Sequence, residues 1–116
     1  MLVLLIIIED GEFNMVHLKR KPTTPGEILN EEYLKPLGMT QNELARHVGC
    51  DIKVINRLIN EKTSLSAEMA LKLAATFKTT PEFWMNAQKA VDLYEAEKHI
   101  KKLPTPIFKR FKPALA

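Results

Sequence analysis

Apolar positions recur by threes and fours along most of this chain, which is the spacing of helices that bury one face. Polar residues suited to starting a helix break the pattern at regular intervals. Thr24-Pro25-Gly26-Glu27 places a capping threonine before a first-turn proline, with a glutamate three residues after the cap. The helix it opens turns Ile28, Leu29, Leu34 and Tyr33 inward and ends near Pro36-Leu37-Gly38. Thr40 with Glu43 forms a second capping box, and Asp51 is the N-cap of a third helix that runs to about Asn60. Glu61 to Ser64 reads as a polar loop. Ser66 opens a fourth helix with the stripe Met69, Ala70, Leu73, Ala74 and Phe77. Thr80-Pro81-Glu82 starts a fifth, with Trp84, Ala87, Val91 and Tyr94 at helical spacing. Lys102-Leu103-Pro104-Thr105-Pro106 cannot continue it, because proline lacks the amide donor and restricts the residue before it.

The second and third helices form the most informative stretch, Thr40 to Asn60. Ala45 is small enough for one helix to cross close over the other. Gly49 stands where a tight turn needs positive φ. Leu44, Val48, Ile55 and Leu58 clamp the pair, and the opposite face of the third helix carries Lys53, Asn56, Arg57 and Asn60. An ordinary helical hairpin accounts for the apolar spacing but not for this run of long hydrogen-bonding side chains. A DNA-binding helix-turn-helix accounts for both. Lys53, Asn56 and Arg57 are assigned to base edges, and Gln41, Asn60 and Lys62 to phosphates.

The first residues break the pattern. Leu2 to Ile8 is an unbroken apolar run, too short to span a bilayer and without the basic flank of a secretory signal. It reads either as a β-strand, able to pair with its counterpart in a dimer, or as an extension upstream of a start at Met15. The chain divides into an extension over 1–18, a helix-turn-helix domain over 19–100 and a basic, proline-containing tail over 101–116.

Composition sharpens this picture only locally. The 116 residues suit one modest core, and β-branched alternation is scarce after residue 15, which favours an all-α fold. The net charge of +3 is mild, but the first fifteen residues hold three acids and no base, leaving +6 on the rest. The tail, with Lys101, Lys102, Lys109, Arg110 and Lys112, is basic. Cys50 is the single cysteine; it excludes an internal disulfide, fits a reducing cytoplasm and reads as a core thiol in the turn. His17, His47 and His99 are scattered without metal-ligand spacing, and the chain carries neither a glycine-rich phosphate loop nor a nucleophile elbow. No enzyme activity, cofactor, metal, membrane association or small-molecule ligand is expected.

The order of five helices, with the second and third as the helix-turn-helix, resembles the lambda-repressor-like (XRE) family. Thr23-Thr24-Pro25-Gly26-Glu27-Ile28-Leu29 and Glu31 to Gly38 resemble the opening of the HigA-type antitoxins, also called virulence-associated protein I. Ser66 to Leu73, Thr80-Pro-Glu-Phe-Trp-Met-Asn-Ala-Gln88 and Asp92-Leu93-Tyr94 resemble their second half. The resemblance covers about residues 19 to 98. It departs where the family often has Asn-Gly-Arg, here Asn60-Glu61-Lys62, and where Asp51 and Ile52 replace Ser and Arg. It implies a cytoplasmic, nucleoid-associated antitoxin that neutralises a HigB-type mRNA-cleaving toxin and represses its own operon. A stand-alone or phage-type repressor is the alternative. Such a protein is expected to bind double-stranded operator DNA as a homodimer, through Trp84, Val91, Tyr94, Ile107 and Phe108, the apolar surplus of the fifth helix and tail. A toxin that holds a polyanion has a basic face, so Glu31, Glu32, Asp92 and Glu95 are the candidates for toxin contact.

Overall fold

A computed structural model describes the backbone pairing of residues 3–7 and 13–17 and the chain from 20 to 107. Phe108, the tail bases Lys109, Arg110 and Lys112, and the ends of the apolar run, Leu2 and Ile8, lie outside the described residues. From Arg20 onward the described chain is helical, five helices with the second and third as the helix-turn-helix, as the apolar spacing predicts. The run of Ile, Leu and Val does form a strand, β1 (Val3–Ile7), as its β-branched content favours. Its partner within the chain is β2 (Phe13–His17). The two pair antiparallel, with Val3 opposite His17 and Ile7 opposite Phe13.

Helix α1 runs from Pro25 to Leu37 in three segments: α-helical at Pro25–Ile28, π-helical at Leu29–Leu34 and α-helical again at Lys35–Leu37. Pro36 is the physical reason for the middle segment. Inside a regular helix its ring collides with the carbonyl four residues back, and a widened turn relieves that collision. The widening shows in the Lys35 amide, which donates to Asn30 O, five residues back. Thr24 caps the start, its Oγ1 accepting from Glu27 N at 3.1 Å.

The remaining helices are α2 (Gln41–Val48), α3 (Ile52–Ile59), α4 (Ala67–Phe77) and α5 (Pro81–His99). Every cap expected from the sequence is made. Thr40 and Glu43 form the reciprocal box, Asp51 accepts from Lys53 N at 2.8 Å, Ser66 from Met69 N and Thr80 from Phe83 N. Residues 100 to 107 leave the helix, as their prolines require.

Leu29, Leu44, Ile55, Leu73 and Trp84 are the largest fully enclosed side chains, contributed by all five helices. Trp84 anchors an aromatic cluster: Tyr33 and Phe77 stack with centroids 4.6 Å apart, Tyr33 lies 5.4 Å from Trp84, and Phe83 meets Trp84 edge-on at 5.2 Å. The indole Nε1 donates to Thr79 Oγ1 at 2.7 Å, so the one polar atom of this side chain is satisfied. This corrects one expectation. Trp84 is 0% exposed and has no surface to offer a second protomer. A stripe of apolar residues on a helix marks a buried face, and whether the burial is inside one chain or between two is not written in the spacing.

Candidate nucleic-acid interface

Helices α2 and α3 meet as the sequence requires. Leu44, Ala45, Val48, Ile55 and Leu58 are all buried between them and the rest of the core. Gly49 takes φ +77°, and the amides of Gly49 and Cys50 both donate to Ala45 O at 2.9 Å, which closes α2 in a left-handed turn. Cys50 is half-buried and packs against the core, and burial pushes its thiol above the ordinary range, so it stays protonated near neutrality.

With Ile55 and Leu58 turned inward, Lys53, Asn56, Arg57 and Asn60 are all exposed on the far side of α3. Lys53, Asn56 and Arg57 stand at i, i+3 and i+4 and so occupy one stripe. Gln41, at the first turn of α2, reaches into that stripe: Asn56 Nδ2 donates to Gln41 Oε1 at 3.1 Å. The pair leaves the Gln41 amide donors and the Asn56 oxygen for other partners, and links the first turn of α2 to the outer stripe of α3. Asn60 spends a donor on its own helix, to Asn56 O at 2.9 Å. Lys62 is exposed just beyond it.

Two features of this face were not foreseen. Ile52, at the leading turn of α3, is 39% exposed beside Lys53, an apolar contact of the kind a thymine methyl accepts. Gly26 of α1 lies against the last turn of α3, where a Cβ would fall 2.0 Å from Leu58 O. The signal for Gly26 was its place in a first helical turn, where alanine would otherwise be preferred.

The acidic candidates separate. Asp92 and Glu95 line one groove of about 300 Å³ between α5, the start of α1 and the loop after α3, together with Lys21, Glu61 and Lys62. Glu31 lies elsewhere, on the middle of α1, paired with Lys35 at 2.6 Å; Glu32 beside it is exposed. At the floor of the groove Gln88 is almost fully buried. It accepts from Leu65 N at 2.8 Å and donates to Asp92 Oδ1 at 2.8 Å. A glutamine four residues after Trp84 on the same helix face was the available signal for that role. Of the remaining interface candidates, Val91 and Tyr94 are half-buried, and Ile107 is 86% exposed. Leu93, Ile100 and Leu103 are exposed apolar residues nearby that the spacing did not single out.

Residues 31–84 match the helix-turn-helix family model. A transcriptional regulator of Escherichia coli K12, YbaQ, is 47% identical over 87 residues, 75% of this chain and 77% of that one. Antitoxin HigA-1 of Vibrio cholerae is 46% identical over 77 residues, 66% of this chain and 72% of its own length. The chain belongs to the HigA-like branch of the helix-turn-helix family. A solved structure of the Pseudomonas aeruginosa antitoxin HigA with the higBA promoter superposes with a TM-score of 0.69 at 33% identity, covering 75% of this chain and 99% of that one. HigA-like membership fits the arrangement of this chain, a short helix pair with its polar face outward on a helical support. Among the described residues no helix is long and apolar enough to cross a membrane.

Proposed function

We propose that this protein is a cytoplasmic operator-binding repressor that also serves as the antitoxin of a mRNA-cleaving, HigB-type toxin. The observation that carries the DNA-binding half is the outer stripe of α3: Lys53, Asn56 and Arg57 exposed together, with Asn56 tied to Gln41 across the turn. In this reading α3 enters a major groove. Lys53 and Arg57 donate to base acceptors, and Asn56 reads an adjacent edge. Gln41, Asn60 and Lys62 hold the flanking phosphates and set the register. A solved relative bound to its promoter DNA supports the DNA-binding reading.

One α3 reads too few base pairs for specificity, so the repressor acts as a two-fold dimer on a palindrome with half-sites about 34 Å apart. The exposed apolar residues at the end of α5 and beyond it, Leu93, Ile100, Leu103 and Ile107, supply the contact with the partner, alongside Val91 and Tyr94. Toxin capture uses acids off the outer stripe of α3. Asp92 and Glu95 offer a concave acidic wall, and Glu31 and Glu32 a convex one on α1.

The deciding experiment titrates a fluorescent duplex of the native promoter with wild type and with Arg57→Ala and Gln41→Ala, and pulls down the product of any small toxin gene beside this one. Arg57→Ala is expected to weaken the operator by about 1–3 kcal/mol and to relax one base position, whereas Gln41→Ala weakens all sequences alike. Unchanged affinity for Arg57→Ala removes this face of α3 from the operator. Operator binding with no toxin partner supports the stand-alone repressor instead.

A further inference from the structure

Glu61 breaks three local rules at once. It holds a left-handed backbone, φ +58°, where glycine is the ordinary residue. It is an acid placed at the C-terminal, negative end of a helix. It sits between Asn60 and Lys62, the two residues assigned above to phosphates, so a negative charge stands at the edge of a face proposed to meet a polyanion. The left-handed turn itself is well made: Lys62 N donates to Arg57 O at 2.8 Å and Glu61 N to Leu58 O at 3.2 Å. What compensates the charge is Lys21, forty residues earlier, whose Nζ meets Glu61 Oε1 at 2.5 Å. Sites where several local preferences fail together are where a functional role is expected.

We propose that Lys21 is a positioning residue for operator binding: it holds the Glu61 carboxylate against the segment before α1 and neutralises it at the edge of the DNA-binding face. Lys21 acts on the operator through Glu61 and is not itself a phosphate ligand. The proposal rests on the operator reading of α3. Pinned to Lys21, the carboxylate stays on the groove side, where Glu95 also acts on the lysine. Released, it is free to swing toward the phosphates that Asn60 and Lys62 hold. The repulsion between that carboxylate and the phosphates, screened by salt, is what the titration reads.

The test measures operator affinity by fluorescence anisotropy for Lys21→Ala, Glu61→Gln and the double variant, at low and at high salt, with Arg57→Ala alongside. Lys21→Ala is expected to weaken binding roughly three- to tenfold at low salt and less at high salt. Glu61→Gln binds more tightly than wild type, and the double variant binds within about twofold of Glu61→Gln, because Lys21 then has no carboxylate to hold; a double variant back at wild-type affinity is the sum of two independent charges and overturns the proposal. An exposed ion pair adds little to stability, so unfolding midpoints should hardly move and the comparison is between folded proteins. A double variant as weak as Lys21→Ala makes Lys21 itself the phosphate ligand and overturns the proposal. An unchanged Lys21→Ala overturns it as well, by showing that the Glu61 charge is not felt at the operator. If Arg57→Ala also binds normally, the failure lies with the operator reading of α3.

Discussion

Gly26→Ala asks whether α1 and α3 cross as closely as the structure shows. Gly26 is in the first turn of α1 with an ordinary helical backbone, so an added methyl group carries no conformational penalty there. On propensity alone alanine would stabilise such a position by up to about 1 kcal/mol. Sterics oppose it. The new Cβ would lie 2.0 Å from Leu58 O, 2.7 Å from Leu58 C and 2.9 Å from Ile59 Cα, all backbone atoms that cannot rotate away. A carbon–oxygen contact needs roughly 3.3 Å, so one helix must retreat by about 1.3 Å. The Leu58 carbonyl also accepts from Glu61 N in the turn that closes α3, so the retreat strains that turn too.

Overpacking of this kind costs about 1–3 kcal/mol, and the sign is therefore decided by the clash. Urea unfolding should show a lower midpoint at unchanged slope, with a net loss of about 2 kcal/mol. Because the displaced helix carries Lys53, Asn56 and Arg57, operator affinity should fall with it. Gly49→Ala is the control: nothing lies within 4 Å of its added carbon, and only its φ of +77° opposes the change, at roughly 1–2 kcal/mol. If Gly26→Ala is as stable as wild type or more so, the close crossing is refuted and propensity wins.

Other substitutions probe separate parts of the argument. Gln88→Leu keeps the volume but leaves the Leu65 amide without its acceptor in a buried place, and should lower stability by about 1–3 kcal/mol in the same denaturation assay. The Glu43 carboxyl is held below its ordinary value of 4.5 by its bonds to the Thr40 backbone and side chain. Its contribution is therefore complete above pH 4.5 and is lost as pH falls through the lowered value, so Glu43→Gln should flatten the acid limb of a pH-stability curve. Lys78 closes α4 with φ +54°; Lys78→Gly should be more stable than Lys78→Ala by about 1 kcal/mol, a comparison in which the lost charge cancels.

Helix starts were legible because each is signed by a local residue pair. A threonine, serine or aspartate reaches an amide two or three positions on, and no distant residue is needed to complete the bond. The core stripe of α2 and α3 was legible for a related reason: a period of 3.6 has one inside face, and the outside face follows as its complement. Trp84 and Gln88 show where that logic stops. Both lie on the inner face of α5, yet a tryptophan in a stripe does not say whether another helix of the same chain or a second chain covers it. A glutamine there looks like a breach of the pattern until the stranded amide of Leu65 is seen opposite. The β1–β2 pairing was only half legible, because the apolar run announces a strand but not which segment completes its ladder.

The helix ends make the same point with more force, and they bear on the operator. The first four helices all close on a left-handed residue, with an amide donating five residues back along the turn: Met39 to Leu34, Cys50 to Ala45, Lys62 to Arg57 and Thr79 to Ala74. At two of these the left-handed residue is glycine, Gly38 and Gly49, and the sequence announces the stop. At the other two it is Glu61 and Lys78, which announce nothing. Geometry alone would accept glycine at all four. Lys78 at least carries a charge that suits the carboxyl end of a helix, whereas Glu61 carries the wrong one and depends on Lys21 to balance it. An acid that costs local stability, at the exit of the helix proposed to read DNA, is more economically explained by its effect on binding than by its effect on folding. The two effects are separable, because Glu61→Gly should both relax the backbone and remove the charge, while Glu61→Gln removes the charge alone. Equal operator affinity for the two variants, with greater stability for the glycine, would assign the charge to binding and the backbone to folding. A gain in affinity confined to Glu61→Gly would mean that the shape of the turn, not its charge, limits how α3 seats on the operator.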